Sequence, residues 1–116
     1  MNTDFAKEWL DAWNSHDLDK IMEHYSENID FVSPIIQQMG INAEGKISNK
    51  KDLREYFLKA LQKYPDLNFE FYHELKGAHS IVLFYRSVNN SLSAEYMELN
   101  NEGKVSKVRA HYKFDE

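Results

Sequence analysis

The hydrophobic pattern of this chain changes period once, at Pro65-Asp66, and does not change back. Before that point apolar residues recur every three or four positions, as one face of a helix requires. After it they alternate, as in a half-buried strand. Helices gathered first and strands gathered last predict an α+β domain with the helices packed on one face of a curved antiparallel sheet.

The helical part divides into three. Phe5, Ala6, Trp9, Leu10, Ala12 and Trp13 mark one face of a helix over 3–15, with Thr3 or Asp4 as its N-cap. Asp17 caps a second, shorter helix whose face reads Leu18, Ile21, Met22 and Tyr25 and which ends near Ser26. Ile29, Phe31 and Ser33 alternate with Asp30 and Val32 up to Pro34, predicting a short strand stopped by a residue that cannot donate to a ladder. The stretch 34–48 has no period and is expected to be a loop over a pocket mouth. Asn49 caps a third helix with Leu53, Tyr56, Phe57, Ala60, Leu61 and Tyr64 as its buried stripe. Beyond Asp66, strands are expected at about 68–76, 80–88, 92–99 and 105–114, joined by tight turns at Gly77-Ala78, Asn89-Asn90 and Asn100 to Gly103.

At 116 residues the chain is expected to form one domain, 1–116, and its hydrophobic fraction of 42% and aromatic fraction of 14% indicate a globular core. A net charge of -5 without a basic run excludes a nucleic-acid phosphate backbone as an expected partner. With 0 cysteines, thiolate nucleophiles and disulfides are ruled out. The N-terminus lacks a signal-peptide pattern and no apolar run reaches membrane-spanning length, so no membrane partner and a cytoplasmic location are expected. His16, His24, His73, His79 and His111 lack the spacing of a ligand triad, so neither a metal nor a cofactor is expected.

Hairpin register assigns faces, because residues opposite one another across antiparallel strands point the same way. A two-residue Asn89-Asn90 turn sets Phe84 opposite Glu95 and Val82 opposite Met97; the other turns set Phe71 opposite Phe84 and Glu95 opposite Val108. One face then reads Phe69, Phe71, His73, Leu75, Val82, Phe84, Arg86, Ser93, Glu95, Met97, Leu99, Val108, Ala110, Tyr112 and Phe114, and is expected to be the interior. An intervening β-bulge would reverse the parity beyond it. Ile81, Leu83, Tyr85 and Tyr96 fall on the other face, an apolar patch that predicts a homodimer through the sheet.

On this register His73, Arg86, Glu95 and Tyr112 stand among hydrocarbons. Glu95 has two readings: a structural ion pair with its diagonal neighbour Arg86, or an acid desolvated by Phe71, Phe84 and Met97 that serves as proton donor or ligand anchor. The candidate catalytic residues are Glu95, Tyr112 and His73. Trp9, Tyr25, Ser33, Phe57, Phe71, Phe84, Arg86, Met97 and Val108 are the candidate ligand-binding residues, while Trp13 is read as core.

The segments Trp9-Leu10-Asp11-Ala12-Trp13-Asn14-Ser15-His16-Asp17-Leu18-Asp19, Tyr25-Ser26-Glu27-Asn28-Ile29, Phe31-Val32-Ser33-Pro34, Lys51 to Phe57 and Asn101-Glu102-Gly103-Lys104-Val105 resemble SnoaL-like, nuclear transport factor 2-like proteins along nearly the whole chain. The resemblance implies a cone-shaped fold around an apolar pocket and a homodimer. It covers polyketide cyclases, ketosteroid isomerase, limonene epoxide hydrolase, dehydratases and transport factors. Against ketosteroid isomerase, the shuttling aspartate falls at Ser33, the first-helix tyrosine donor at Trp9 and the protonated oxyanion-hole aspartate at Glu95. The aspartate of the cyclases' last strand falls at or near Ala110. The expectation is therefore a protein that takes a small apolar ligand, either an isomerase, cyclase or lyase using Glu95, or a non-catalytic binding or interaction domain.

Overall fold

The computed structural model describes residues 5–114, and the expected caps Thr3 and Asp4 lie outside them. Helix α1 (Phe5–Asn14) buries Ala6, Trp9, Leu10, Ala12 and Trp13, the stripe its period demands. Asn14 ends it and closes a pair of hydrogen bonds with Phe69 across the domain, Nδ2 donating to the carbonyl at 3.0 Å and Oδ1 accepting from the amide at 2.6 Å. His16, at φ 60, adds a 2.7 Å contact from Nε2 to the Leu67 carbonyl. These bonds pin the turn after α1 to the chain entering the first long strand.

Asp17 caps α2 (Leu18–Met22), its side chain accepting from the Lys20 amide. Tyr25 is not the end of that helix. It opens β1 (Tyr25–Val32), which is longer than the alternation at 29–33 indicated. The expected loop at 34–48 contains a short helix, α3 (Pro34–Gln38), and a two-residue strand, β2 (Lys46–Ile47). Ser33 Oγ accepts from the Ile35 amide at 3.2 Å and Pro34 sits at the first helical position, where its missing N–H costs nothing. One proline thus ends a strand and begins a helix. Gly45, at φ +68, brings its carbonyl to the Ser33 amide at 2.9 Å; a Cβ there would stand 3.0 Å from the Ser33 oxygen, so glycine is required. Helix α4 (Lys50–Lys63), capped by Asn49, buries Leu53, Tyr56, Phe57 and Ala60 as expected.

Strands β3 (Glu70–Lys76), β4 (Ser80–Arg86), β5 (Leu92–Leu99) and β6 (Val105–Lys113) form the antiparallel meander. The sheet order is β2-β1-β6-β5-β4-β3, and β1 joins β6 in parallel, which the alternation alone did not indicate.

The register of β4 departs from expectation. The Asn89-Asn90 turn forms as read, both residues being left-handed (φ 56 and 61) and the Ser91 amide donating to the Val88 carbonyl. Directly beyond it, however, the Ser87 amide also donates to the Ser91 carbonyl, at 2.7 Å. Ser87 and Val88 together oppose Ser91, a bulge of one residue that reverses the parity of β4. Leu83 now faces Glu95, Ile81 faces Met97 and Tyr85 faces Ser93. Ile81, Leu83 and Tyr85 are buried, whereas Val82, Phe84 and Arg86 lie on the outer, half-buried face. A further irregularity between Phe71 and His73 leaves His73 opposite Phe84, also outward. The β5–β6 pairing slips by two residues and so keeps parity, placing Ala110 opposite Glu95 and Val108 opposite Met97.

The two registers assign opposite fates to neighbouring residues. Leu83→Ala is expected to cost about 3 kcal/mol in urea unfolding, because it empties a fully buried position, and Phe84→Ala about 1 kcal/mol. The reverse order would contradict the bulge.

Candidate functional site

The inner face of the sheet meets the helices in a cluster of rings. Trp9 and Trp13, one turn apart on α1, flank Phe69 at 5.8 and 5.6 Å; Trp13 packs edge-on to Phe57 at 4.7 Å; Phe69 lies 4.8 Å from Tyr85. Between these rings lies a cavity of about 50 Å³ with Glu95 among its lining, running out to Tyr64 and Val88. That space is smaller than the roughly 150 Å³ that holds a benzene ring in an apolar core, and larger than one water needs.

Glu95 sits mid-strand on β5, 4% exposed. Burial pushes its pKa up to about 7, against the opposing pull of the Tyr85 hydroxyl, which donates to Oε1 at 2.6 Å. Tyr25, Tyr56, Tyr85 and Tyr112 are all raised, first by burial and also by the nearby Glu95 charge, so each keeps its proton at neutral pH. An acid poised near neutrality among protonated phenols is suited to giving or taking a proton, or to anchoring a polar head group. Tyr25 accepts from Trp9 Nε1 at 3.0 Å. Trp13 Nε1 is near enough to Tyr25 to act on its hydroxyl, yet it makes no hydrogen bond of acceptable geometry among the described residues and is buried.

Of the residues expected at the site, Glu95, Tyr112, Trp9 and Phe57 line the cavity. Tyr25, Met97, Val108 and Ser33 are buried behind that lining: Tyr25 bonds Trp9, Met97 and Val108 pair across β5 and β6, and Ser33 caps α3 while its hydroxyl bears on Tyr56 and Tyr112. Four expectations are corrected, those for His73, Phe84 and Arg86 by the bulged register and that for Phe71 by its exposure on the edge strand β3, where it pairs with the inward Tyr85. His73 is exposed and stacks on Phe84 at 6.1 Å on the outer face; Phe84 lies there with it; Phe71 is 43% exposed. Arg86 does not pair with Glu95. Its Nε donates to the Tyr72 hydroxyl at 2.7 Å and its Nη1 to the Asn90 carbonyl and side chain, both at 3.0 Å.

Sequence reasoning missed Tyr85, the group that bonds Glu95, because it counted Asn89-Asn90 as a plain two-residue turn. Trp13, read as core, also lines the cavity, as do Ile35, Tyr64, Ser87 and Val88. A larger groove of about 1060 Å³ lies by the β3–β4 turn, at the other end of β4, with a mixed lining that includes Glu8, Asp11, Lys20, Glu23 and Lys76.

A SnoaL-like domain model matches residues 6–115. The chain belongs to the SnoaL-like family. It is similar to a SnoaL-like protein of unknown function from Burkholderia thailandensis, at 36% identity and a TM-score of 0.90, over 95% of this chain and 92% of that one. A candidate isomerase of the same family from Agrobacterium tumefaciens matches at 18% identity and a TM-score of 0.74, over 94% of each chain. The epoxide hydrolase/cyclase-like enzyme SalBIII of pyran ring formation in salinomycin matches at 19% identity and 0.74, over 93% of this chain and 87% of that one. These two likenesses show the shared cone fold. No curated protein matches the sequence.

The electrostatics carry a test. Glu95 binds its proton more tightly when folded, so between its ordinary 4.5 and about 7 the native state holds a proton that the unfolded chain has lost. Its contribution to stability is full below 4.5 and is lost as pH rises through about 7, at a slope approaching about 1.4 kcal/mol per pH unit. Glu95→Gln is expected to flatten that part of the profile, measured by urea unfolding from pH 4 to 8; an unchanged slope would mean that another group sets it.

Proposed function

We propose that this SnoaL-like protein takes a small, uncharged, apolar molecule into the cavity and that Glu95 exchanges a proton with it, as in an isomerase, cyclase or lyase. The observation that carries the reading is the placement of Glu95: buried, bonded by Tyr85 and without a cation partner among the described residues, yet part of the cavity wall. A structural ion pair at this position would need Arg86, whose side chain is engaged on the outer face. Tyr112, which also lines the cavity, is the candidate to assist Glu95.

The test is proton exchange in a small ketone. With acetone in D₂O, ionised Glu95 would take a proton from the carbon beside the carbonyl, leaving an enolate, exchange that proton with solvent and return a deuteron to the same carbon. The wild-type chain is expected to accelerate loss of that signal in the proton spectrum, and Glu95→Gln to slow it about 100-fold. Binding without exchange would assign the non-catalytic alternative; neither binding nor exchange across a panel of small neutral molecules would sink both.

We also propose that the outer sheet face pairs two copies. The bulge removes Ile81, Leu83 and Tyr85 from that face but supplies Val82 and Phe84, with Tyr96 beside Val82 and Leu75 62% exposed opposite it. Light scattering at micromolar concentration is expected to give twice the 13.7 kDa chain mass, and Phe84→Asp to halve it. A wild-type monomer refutes the pairing.

A further inference from the structure

At about 50 Å³ the cavity cannot close around a benzene-sized ring, which takes roughly 150 Å³, so a ligand of that size has to displace part of the wall. Most of the wall stands on regular elements: Trp9 and Trp13 on α1, Tyr56 and Phe57 on α4, Glu95 on β5 and Tyr112 on β6. Moving any of these by more than a rotamer breaks a helix or a ladder. Two stretches of lining lie between elements: Tyr64, Leu67 and Phe69 after α4, and Ser87 and Val88 after β4.

These two stretches are held differently. The first is fastened across the domain: His16 Nε2 meets the Leu67 carbonyl at 2.7 Å, Asn14 bonds both the amide and the carbonyl of Phe69, and the Phe69 ring packs against Trp9 and Trp13. The second lies beyond Arg86–Leu92, the last pair of the β4–β5 ladder. Its own bonds run within the turn. The Ser87 amide donates to the Ser91 carbonyl at 2.7 Å, and the Ser91 amide and hydroxyl donate to the Val88 carbonyl at 3.2 and 2.8 Å. No helix residue bonds this turn among the described residues, and Val88 is its apolar contact with the core. Asn89 and Asn90 are both left-handed, a conformation that costs free energy even for asparagine.

Arg86 offsets that cost from the outer face. Its Nη1 donates to the carbonyl and to the side-chain oxygen of Asn90, at 3.0 Å each. Its other end is held as well: Nε donates to the Tyr72 hydroxyl at 2.7 Å, and the guanidinium lies 5.7 Å from the centre of the Tyr72 ring. One charged side chain thus fastens the turn to β3.

Resting on the reading of the cavity as a ligand site, we propose that the turn 87–91 is the part of the wall that gives way to a ring-sized neutral molecule, and that Arg86 is the latch that keeps it shut. Opening breaks the Ser87–Ser91 bond and both Arg86–Asn90 bonds and takes Val88 off the core. Those bonds belong to the closed state, so an entering ring works against them, and removing the latch raises the fraction of molecules ready to accept it. Arg86 touches no ligand. It is a positioning residue that acts through the turn on the size of molecule admitted.

Hydrogen exchange and toluene binding, both on the full ¹⁵N-labelled chain, test the two halves separately. Without ligand, the Ser87 amide is expected to be at least about tenfold less protected than the Phe69 amide, and Arg86→Met to lower protection at Ser87 about tenfold further while Phe69 stays as it was. Toluene at pH 7 is expected to shift the Val88 and Phe69 amide resonances saturably, and Arg86→Met to tighten its binding by up to about tenfold. A residue with a structural role alone would leave binding unchanged or weaken it when removed. Ser87 protected as strongly as Phe69 in the wild-type chain overturns the opening of the turn, and that measurement needs no variant to fold. Equal or weaker toluene binding by Arg86→Met overturns the latch. Toluene that moves neither resonance overturns this inference alone, because the pocket reading is tested with acetone, a smaller molecule.

Discussion

A carboxyl group held in a ring-lined interior by one phenol sets the terms for everything around it. Glu95 would be a severe liability if ionised and alone, and the structure meets that liability with a 2.6 Å bond from Tyr85 and a protonated environment of Tyr25, Tyr56 and Tyr112. Tyr85 reaches Glu95 because β4 presents it inward, and β4 does so because Ser87 and Val88 together oppose Ser91. One extra residue beside a turn thus decides which side chain neutralises the acid. Without it, Phe84 would occupy the inner row and Arg86 would point at the carboxyl, giving a buried ion pair in place of a titratable acid.

Most of the architecture was legible because it rests on periodicity and local capping. The switch at Pro65-Asp66 separates helices from strands, Asn49 and Asp17 cap the helices they precede, and β5 occupies the residues its alternation marks. What escaped was set by contacts far apart in sequence. Helix α3 depends on Ser33 and Pro34 acting as cap and first residue, a signal present in the chain but read as a strand stop. The parallel pairing of β1 with β6 joins residues some eighty positions apart and leaves no local trace. The bulge is the costly omission. Asn89-Asn90 does form the left-handed turn its residues favour, yet a turn fixes only the pair that closes it, and the next hydrogen bond, from Ser87 to Ser91, carries the parity. Glu95, Trp9, Phe57 and Tyr112 were found at the cavity because they lie on α1, α4, β5 and β6, where the parity held; His73, Phe84 and Arg86 were misplaced because they lie beyond the bulge, and Phe71, opposite the inward Tyr85, because the edge strand β3 leaves it exposed.

Cavity size and cavity chemistry pull in different directions. An acid brought near neutrality costs stability across the pH range in which it ionises, and a buried indole N–H without a well-formed hydrogen bond among the described residues adds to that cost. A protein selected for stability alone would replace both with hydrocarbon. The void itself is modest, because Trp9, Trp13, Phe57 and Phe69 fill the cone so tightly that ring contacts of 4.7 to 6.2 Å replace open space. Polar groups kept in so small a space act on a few atoms of a ligand, not on its whole body.

Ser33 narrows the chemistry further. It occupies the place where the family resemblance puts the shuttling carboxylate of the isomerases, and its hydroxyl oxygen accepts from the Ile35 amide. A hydroxyl with an ordinary alcohol's basicity cannot take a proton from carbon at neutral pH, so it replaces neither the base nor its charge. If the protein catalyses proton transfer as proposed, removal and return would both pass through the carboxyl group of Glu95. A single group working on one wall of a cavity can move a proton between neighbouring atoms on one face of a small molecule, but not between distant ones. On the proposed reading, the reactions open to this SnoaL-like protein are limited to short transfers in which Glu95 would be acid and base in turn, its ionised form held by the Tyr85 hydroxyl.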